Sequence, residues 1–181
     1  MKSYEEKTIA TNSIYEGKII SLQVDDVELP DGNHAKRELV KHPGAVALIP
    51  ITDEGKIIVV KQYRKAIERA IVEIPAGRIE PNEDPKLTAI RELEEETGYG
   101  THDITYLQSF ATSPGFADEI IHLYVAKDLY KIEDPAEGDE DEFIERLEVS
   151  IEEAEKMVAT GEIYDAKTAF AILYVKHQLN M

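Results

Sequence analysis

The sequence predicts an α/β fold in which helices cover a mixed sheet, preceded by a β-rich N-terminal arm. Two observations carry this. Short runs of β-branched residues, separated by Gly, Pro and Asp clusters, fill the first 75 residues and return between 104 and 149. Segments with helical start and stop signals fall at 84–98, from 150 onward and at 165–178. Strands interleaved with helices in this way describe a sheet that buries its faces under helices. No internal repeat, low-complexity tract or flexible linker breaks the chain. Its 181 residues suffice for one core, which divides here into an arm at 1–43 and a main domain at 44–181.

Taken in order, 24–29 and 38–41 read as strands around Pro30-Asp31-Gly32-Asn33, a turn in which Gly supplies positive φ. Residues 46–51 and 57–60 flank Asp53-Glu54-Gly55 and read as a hairpin. A third apolar run ends at Ile74-Pro75-Ala76-Gly77. The clearest helix begins at Asp84-Pro85, where Asp caps free N–H groups and Pro is tolerated in the first turn, and it stops at Gly98. Three further runs, 104–110, 120–125 and 143–149, read as strands. Ser150-Ile151-Glu152-Glu153 is a capping box that opens a second helix, and Asp165 caps a third from Ala166 to Gln178. A dense acidic loop occupies 133–142.

The net charge is −17, from 37 Asp and Glu against 20 Lys and Arg. That argues against nucleic-acid binding and against docking on anionic lipid, both of which need clustered cations. It also repels phosphates, so a phosphate-bearing ligand has to be received locally by a metal ion or by a few Arg and Lys. The absence of Cys excludes disulfides, thiolate metal sites and a Cys nucleophile. The five His are scattered without the spacing of a helical metal pair, and Ser113 does not stand in a nucleophile elbow. Gly98-Tyr99-Gly100 closes a helix where a phosphate-cradling loop would open one. Met1-Lys2-Ser3-Tyr4-Glu5-Glu6-Lys7 lacks a signal peptide's apolar core, and no apolar run approaches about 18 residues, so a cytoplasmic protein without membrane contact is expected.

Chemistry concentrates between Gly77 and Tyr99. Glu83 stands six residues after Gly77, and Arg91-Glu92-Leu93-Glu94-Glu95-Glu96-Thr97-Gly98-Tyr99 follows. With Glu92 at 0° and about 100° per residue, Glu95 falls near 300° and Glu96 near 40°, whereas Leu87, Ile90 and Leu93 fall near about 220°, 160° and 100°. Three carboxylates thus share a face, and the aliphatic residues are expected to hold the opposite face in the core. Like charges three and four apart destabilise a bare helix by a few tenths of a kcal/mol per pair, so something should compensate. Mg²⁺, or Mn²⁺ in its place, takes carboxylate oxygens and bridges to phosphates, which makes Glu92 and Glu96 candidate ligands. Gly77 lets the backbone pass close by, so the carbonyl of Ala76 is a further candidate ligand. Arg91 stands one turn before Glu95 and can hold it in position. An arbitrary E-x-x-E-E in an acidic protein is ordinarily a solvated helix face. Here seven fixed positions over 22 residues, each with usage of about 5–10%, make a chance match rarer than about one in a million.

This segment resembles the Nudix box, G-x5-E-x7-R-E-U-x-E-E-x-G-U with U aliphatic or aromatic, and Gly77, Glu83, Arg91, Glu92, Leu93, Glu95, Glu96, Gly98 and Tyr99 fit it without departure. The resemblance implies a Nudix α/β/α sandwich whose box helix binds two or three Mg²⁺, with a water attacking one phosphorus of a pyrophosphate. Cations at such a site acidify bound water and neutralise pyrophosphate charge. Ser113-Pro114-Gly115-Phe116-Ala117-Asp118-Glu119, with Pro114 sixteen residues past Gly98, resembles the S-P-G loop of ADP-ribose pyrophosphatases and makes Pro114, Gly115 and Glu119 candidate substrate contacts. Lys61-Gln62-Tyr63-Arg64 resembles the segment that supplies a phosphate-binding Arg at Arg64, and Lys36-Arg37-Glu38 resembles one that contributes Arg37 to the adenosine side across a dimer. Read alone, Arg37 is better explained as a solvated strand residue. The adenine-stacking aromatic of that subfamily has no clear counterpart, Tyr15 being the ring nearest Gly17. Asp139-Glu140-Asp141-Glu142 resembles the catalytic loop, which implies Glu140 as general base and Glu142 as an extra metal ligand, with Glu95 the next candidate base.

The expected reaction is hydrolysis of ADP-ribose to AMP and ribose 5-phosphate by a homodimer joined through its arm. The alternatives are a hydrolase of another nucleotide sugar or dinucleoside diphosphate, and a non-catalytic Nudix-fold sensor. A sensor commonly has an eroded box and a basic appendage, and neither is present here.

Overall fold

The structure, a computed structural model, describes residues 4–136, 138 and 143–179. The chain forms two compact units, one built from the segment up to Gly44 with Phe110–Ile121, the other from Ala45–Ser109 with the segment from His122 onward.

In the first unit β1 (Lys7–Glu16), β2 (Ser21–Glu28) and β3 (His34–Lys41) form an antiparallel sheet in the order β1-β2-β3. The β2–β3 turn closes where expected: Gly32 has φ 85°, Leu29 N–H donates to Asn33 O at 2.7 Å, and Gly32 N–H donates to Leu29 O at 2.9 Å. Strand β1 had no signature in the sequence because all ten of its residues are exposed, so no alternation of buried and solvated positions is imposed on it. Val40 and Ala117 form a parallel bridge that ties the 110–121 segment to the end of β3.

The second unit contains two sheets, β7-β4-β9-β8 and β10-β5-β6, built from β4 (Ala45–Pro50), β5 (Ile57–Arg64), β6 (Arg69–Glu73), β7 (Ala76–Arg78), β8 (Tyr99–Ala111), β9 (Ile120–Lys131) and β10 (Glu145–Val149). This corrects the expected hairpin of 46–51 with 57–60. The tight turn exists, with Gly55 at φ 75°, but beyond a single bridge between Ile51 and Ile57 the two strands part into different sheets. Every residue of β4 is buried and so are the first four of β5. Such continuous apolar runs belong to strands covered on both faces, and their sequence does not say which neighbour they pair with.

Helices α1 (Pro85–Thr97), α2 (Ile151–Thr160) and α3 (Ala166–Leu179) lie where their caps placed them. Asp84 accepts from Lys86 N–H at 2.8 Å, Ser150 and Glu153 form both bonds of the capping box, and Asp165 accepts from Thr168 N–H at 3.1 Å. Ala89 and Leu93 of α1 join Val46, Leu48, Tyr124 and Ala126 in a core, each large side chain contributing about 1.5–3 kcal/mol by leaving water. The α1 phase needs a second correction. Leu87 is 60% exposed and Ile90 39%, whereas Thr88, Ala89, Glu92, Leu93, Glu96 and Thr97 are buried. Two carboxylates therefore sit within the buried arc, and two aliphatic side chains face outward. Among the described residues no helix is long and apolar enough to cross a membrane.

Candidate active site

The site begins with the joint between β7 and α1. Strand β7 pairs antiparallel with β4, Gly77 opposite Val46 and Ala76 opposite Ala47. Glu96, the next-to-last residue of α1, accepts the Ala76 N–H at 3.0 Å through Oε2. Gly77 lies so close to Glu92 that a Cβ there would stand 1.9 Å from the Glu92 Cδ and 2.0 Å from Oε1. The glycine is required by close approach: the space a methyl group would fill is taken by a carboxylate. Ala76, Glu92 and Glu96 are thus brought together as the sequence predicts.

Arg91 organises the rim. Its Nη1 donates to Glu92 Oε1 and to Glu95 Oε2, both at 2.8 Å, and Nη2 reaches Glu83 Oε2 at 3.3 Å and the Arg78 carbonyl at 3.4 Å. The expected pairing of Arg91 with Glu95 is therefore formed, and the same guanidinium also ties down the loop before the helix. Glu83 in turn accepts from Thr88 Oγ1 at 2.8 Å. The Arg91 bond, followed by that of Thr88, holds the Glu83 carboxyl below the ordinary range. Partial burial works against the Arg91 charge, but Glu83, Glu92 and Glu95 outweigh it and raise its pKa.

Three carboxylates, Glu83, Glu92 and Glu95, pair with the Arg91 guanidinium, and Glu92 and Glu96 are each only 8% exposed. Burying carboxylates is costly unless they are paired. Among the described residues no three of the carboxylates converge as metal ligands do, and Arg91 Nη1 bridges Glu92 and Glu95. An all-oxygen donor set, an excess of negative charge and a glycine cradle fit a hard divalent cation.

Glu140 and Glu142 lie outside the described residues. The segments on either side of them are fastened to the last turn of α1. Ile132 N–H donates to Gly98 O at 3.0 Å, Ala136 N–H to Glu94 Oε1 at 3.0 Å, and the Arg146 guanidinium to the Thr97 carbonyl. Tyr99, beneath Arg146, donates its hydroxyl to Glu148 at 3.0 Å. Glu94 and Arg146 carried no sequence signal, since Glu94 fills an unspecified box position and Arg146 lies in a short strand.

Arg64, at the end of β5, is held by Glu73 through Nε at 2.6 Å. The remaining candidates belong to the first unit. Phe116 and Ala117 N–H groups both close onto Ser113 O, at 3.1 and 2.9 Å, which fixes Pro114 and Gly115 in a turn. Glu119 Oε2 accepts from Thr112 Oγ1, and Asp118 accepts the His42 N–H at 2.8 Å and pairs with Lys41. His42 Nδ1 lies 3.7 Å from Glu119 but accepts the Gly44 N–H at 3.1 Å, so that nitrogen carries no proton to share with the carboxylate. Arg37 is engaged by Glu6 in a two-point ion pair at 2.8 and 2.6 Å.

Comparison with known proteins matches residues 41–169 to the NUDIX domain, and residues 6–40 to the nucleoside diphosphate sugar hydrolase N-terminal domain. The chain belongs to the NUDIX family. It is 60% identical over 176 residues to the ADP-ribose pyrophosphatase of Bacillus subtilis, covering 97% of this chain and 95% of the relative. It is 58% identical over 177 residues to the methanol dehydrogenase activator of Bacillus methanolicus, covering 98% and 96%. A crystal structure of an ADP compounds hydrolase superposes with a TM-score of 0.85 at 24% identity, covering 99% of this chain and 97% of that one, and shows the same mixed α/β Nudix fold.

Proposed function

We propose that this chain is a Mg²⁺-dependent pyrophosphohydrolase, with Mn²⁺ able to substitute, that cuts ADP-ribose into AMP and ribose 5-phosphate in the cytoplasm. The carrying observation is the packing of Glu92 against Gly77 together with the bond from Ala76 to Glu96, which gathers the box's candidate ligands at one joint. The 60% identity to an ADP-ribose pyrophosphatase over nearly the full chain supports the substrate.

In this reading Glu92, Glu96 and the Ala76 carbonyl hold the metal, with Glu142 as an additional ligand. Bound there, Mg²⁺ neutralises pyrophosphate charge and acidifies water. Arg91 keeps Glu92 and Glu95 oriented. Glu140 takes the proton of the attacking water as its oxygen bonds to phosphorus and the bridging P–O bond breaks, with Glu95 the next candidate for that role. Arg64 receives a phosphate, and Arg37, Pro114, Gly115 and Glu119 contact the rest of the substrate. Joining of two copies through the arm at 1–43 is supported by β1, an edge strand with Ile9, Ile14 and Tyr15 more than half exposed. Sedimentation at the mass of one 20.4 kDa chain at micromolar concentration would refute the homodimer.

The deciding experiment measures nucleoside monophosphate release, AMP from ADP-ribose beside GMP from GDP-mannose and the corresponding product from other nucleotide sugars, with Mg²⁺ and with EDTA. ADP-ribose should be cleaved fastest, and only without chelator. No AMP in Mg²⁺ would overturn the activity, and faster cleavage of GDP-mannose would overturn the substrate. The 58% identity to a methanol dehydrogenase activator favours a second reading, that the chain also activates an alcohol dehydrogenase. Adding it to a methanol dehydrogenase and following the oxidation rate tests that directly.

A further inference from the structure

Glu73 is the last residue of β6 and only 3% exposed, yet nothing in the box chemistry uses it. Its two oxygens serve two different cations: Oε2 accepts from Arg64 Nε at 2.6 Å, and Oε1 from the Lys167 ammonium. Lys167, near the start of α3, is shared with Asp165 at 2.9 Å. Asp165 also caps α3 through Thr168, whose hydroxyl accepts the Ile74 N–H at 2.9 Å. The result is a chain of alternating sign, Arg64, Glu73, Lys167 and Asp165, with no net charge, that locks the end of β6 to α3.

The register of β5 with β6 gives this chain a direction. Arg64 lies opposite Arg69 and Glu73 opposite Val60, and both are on the same face of the strand pair. To reach Glu73 the Arg64 side chain must run back along that face, which brings its guanidinium toward the end of β6. Glu73 is three residues before Ala76, at most about 10 Å of extended chain. The carboxylate therefore draws Arg64 toward the segment that carries the candidate metal ligand. It does so through Nε, which leaves the two terminal nitrogens as the fork that suits a phosphate, and the Arg64 side chain remains 40% exposed.

We propose that Glu73 is a positioning residue for substrate phosphate. It aims the Arg64 guanidinium, while Lys167 balances the second carboxylate oxygen so that Glu73 stays charged and fixed. This rests on the reading above that Arg64 binds a phosphate. A purely structural staple between β6 and α3 would affect stability and leave affinity alone, so the two roles separate in kinetics.

The test is a double-mutant cycle of Glu73→Gln and Arg64→Ala. It reads KM and kcat for ADP-ribose in Mg²⁺, the Kd for ADP-ribose by calorimetry in EDTA, and the melting temperature. Gln offers one acceptor where two cations need one each. Arg64→Ala should raise KM about 10–100-fold, the range of a charge-assisted hydrogen bond. Glu73→Gln should raise it roughly 3–10-fold with kcat within about twofold, since a contact made equally in ground and transition states moves KM alone. In the Arg64→Ala background Glu73→Gln should then change KM no further. If Arg64→Ala leaves KM and Kd unmoved, the phosphate reading of Arg64 fails and this inference with it. If Arg64→Ala raises KM but Glu73→Gln raises it equally in both backgrounds, or in neither, that reading stands and the inference alone is overturned. Should Glu73→Gln fail to fold, Lys167→Met replaces it in the cycle. It frees Glu73 to turn both oxygens to Arg64, so KM should shift at least about twofold with Arg64 present and not at all without it. An equal shift in both backgrounds overturns the proposal.

Discussion

Replacing Gly77 by Ala adds one methyl group, and the structure says where it goes. The new Cβ would stand 1.9 Å from Glu92 Cδ, 2.0 Å from Oε1 and 2.2 Å from Oε2. An ordinary carbon contact is about 3.5 Å, so the carboxylate must withdraw by roughly 1.6 Å. The obstacle is the end of a flexible side chain, and the Gly77 backbone is not in the left-handed region, so the fold yields at small cost. An off-rotamer Glu92 costs about 0.5–1.5 kcal/mol, partly offset by the roughly 0.4–1 kcal/mol that Gly→Ala contributes by stiffening the unfolded chain. At about 2–4 °C per kcal/mol for a chain this long, the melting temperature should fall by no more than about 6 °C. Catalysis has no such tolerance. Moving a reacting geometry by about 1 Å costs around 10²-fold. AMP release from ADP-ribose across a Mg²⁺ titration should therefore show kcat lower by about 10² or more and a higher Mg²⁺ concentration at half-maximal rate. If Gly77→Ala keeps the parent's turnover and metal requirement, the cradle is not where the metal site is, and the argument from close approach collapses.

Glu96→Gln should keep its fold by circular dichroism, since the amide oxygen can still accept from Ala76 N–H, while activity drops by at least about 10²-fold, the upper end for losing even an outer partner of a metal ligand; loss of the fold would point to a structural role. Glu94→Gln should be nearly silent because its carbonyl oxygen can still accept from Ala136, whereas Glu94→Ala should cost about 1 kcal/mol of stability; a large loss of turnover in the Gln variant would contradict the helical phase. Glu140→Gln should lower kcat by about 10²–10⁴ with little change in KM, and Glu142→Gln should raise the Mg²⁺ demand; full turnover in both variants at saturating Mg²⁺ would move the base to Glu95. Because Arg91 depresses the Glu83 carboxyl below its ordinary 4.5, the stability it contributes is present above about pH 4.5 and is lost as pH falls through the lower folded value; Glu83→Gln should flatten the stability curve in that acid window, and an unchanged curve there would show that the pairing contributes nothing.

What the sequence made legible was set by how local each signal is. Asp84, Pro85 and Gly98 bound α1, and Ser150 with Glu153 opens α2, because caps satisfy backbone groups a few residues away and need no tertiary context. Strand pairing is not local. The runs at 46–51 and 57–60 were recognisable as strands, but whether β4 pairs with β5 or with β7 and β9 depends on partners distant in sequence. The box residues were identifiable from spacing alone, yet their surroundings were misjudged. Apolarity was taken to mark the buried side of α1, which assigned Leu87 and Ile90 to the core, opposite the carboxylate face. Leu87 and Ile90 are exposed instead, and Glu92 and Glu96 are buried. Hydrophobic pattern tracks burial best where stability alone decides it, and it fails on α1, where Glu92 packs against Gly77 and Glu96 against Ala76 of β7. Glu73 and Lys167 were invisible for a related reason: a buried ion pair between residues 94 positions apart leaves no periodic trace.

The same logic ties the global charge to the local one. A chain of net charge −17 repels a pyrophosphate but concentrates divalent cations around itself. Burying carboxylates such as Glu92 and Glu96 is costly unless they are paired, and the Arg91 guanidinium is shared among Glu83, Glu92 and Glu95. In the proposed reading a divalent cation held by the box carboxylates would reverse the sign of the field that a phosphate meets. Arg64 complements this without undoing it. Its partner Glu73 and the Lys167–Asp165 pair bring that cluster to neutrality, so in the proposed reading Arg64 would offer directional donors to a phosphate while adding no net positive charge that would compete with a metal for the box carboxylates.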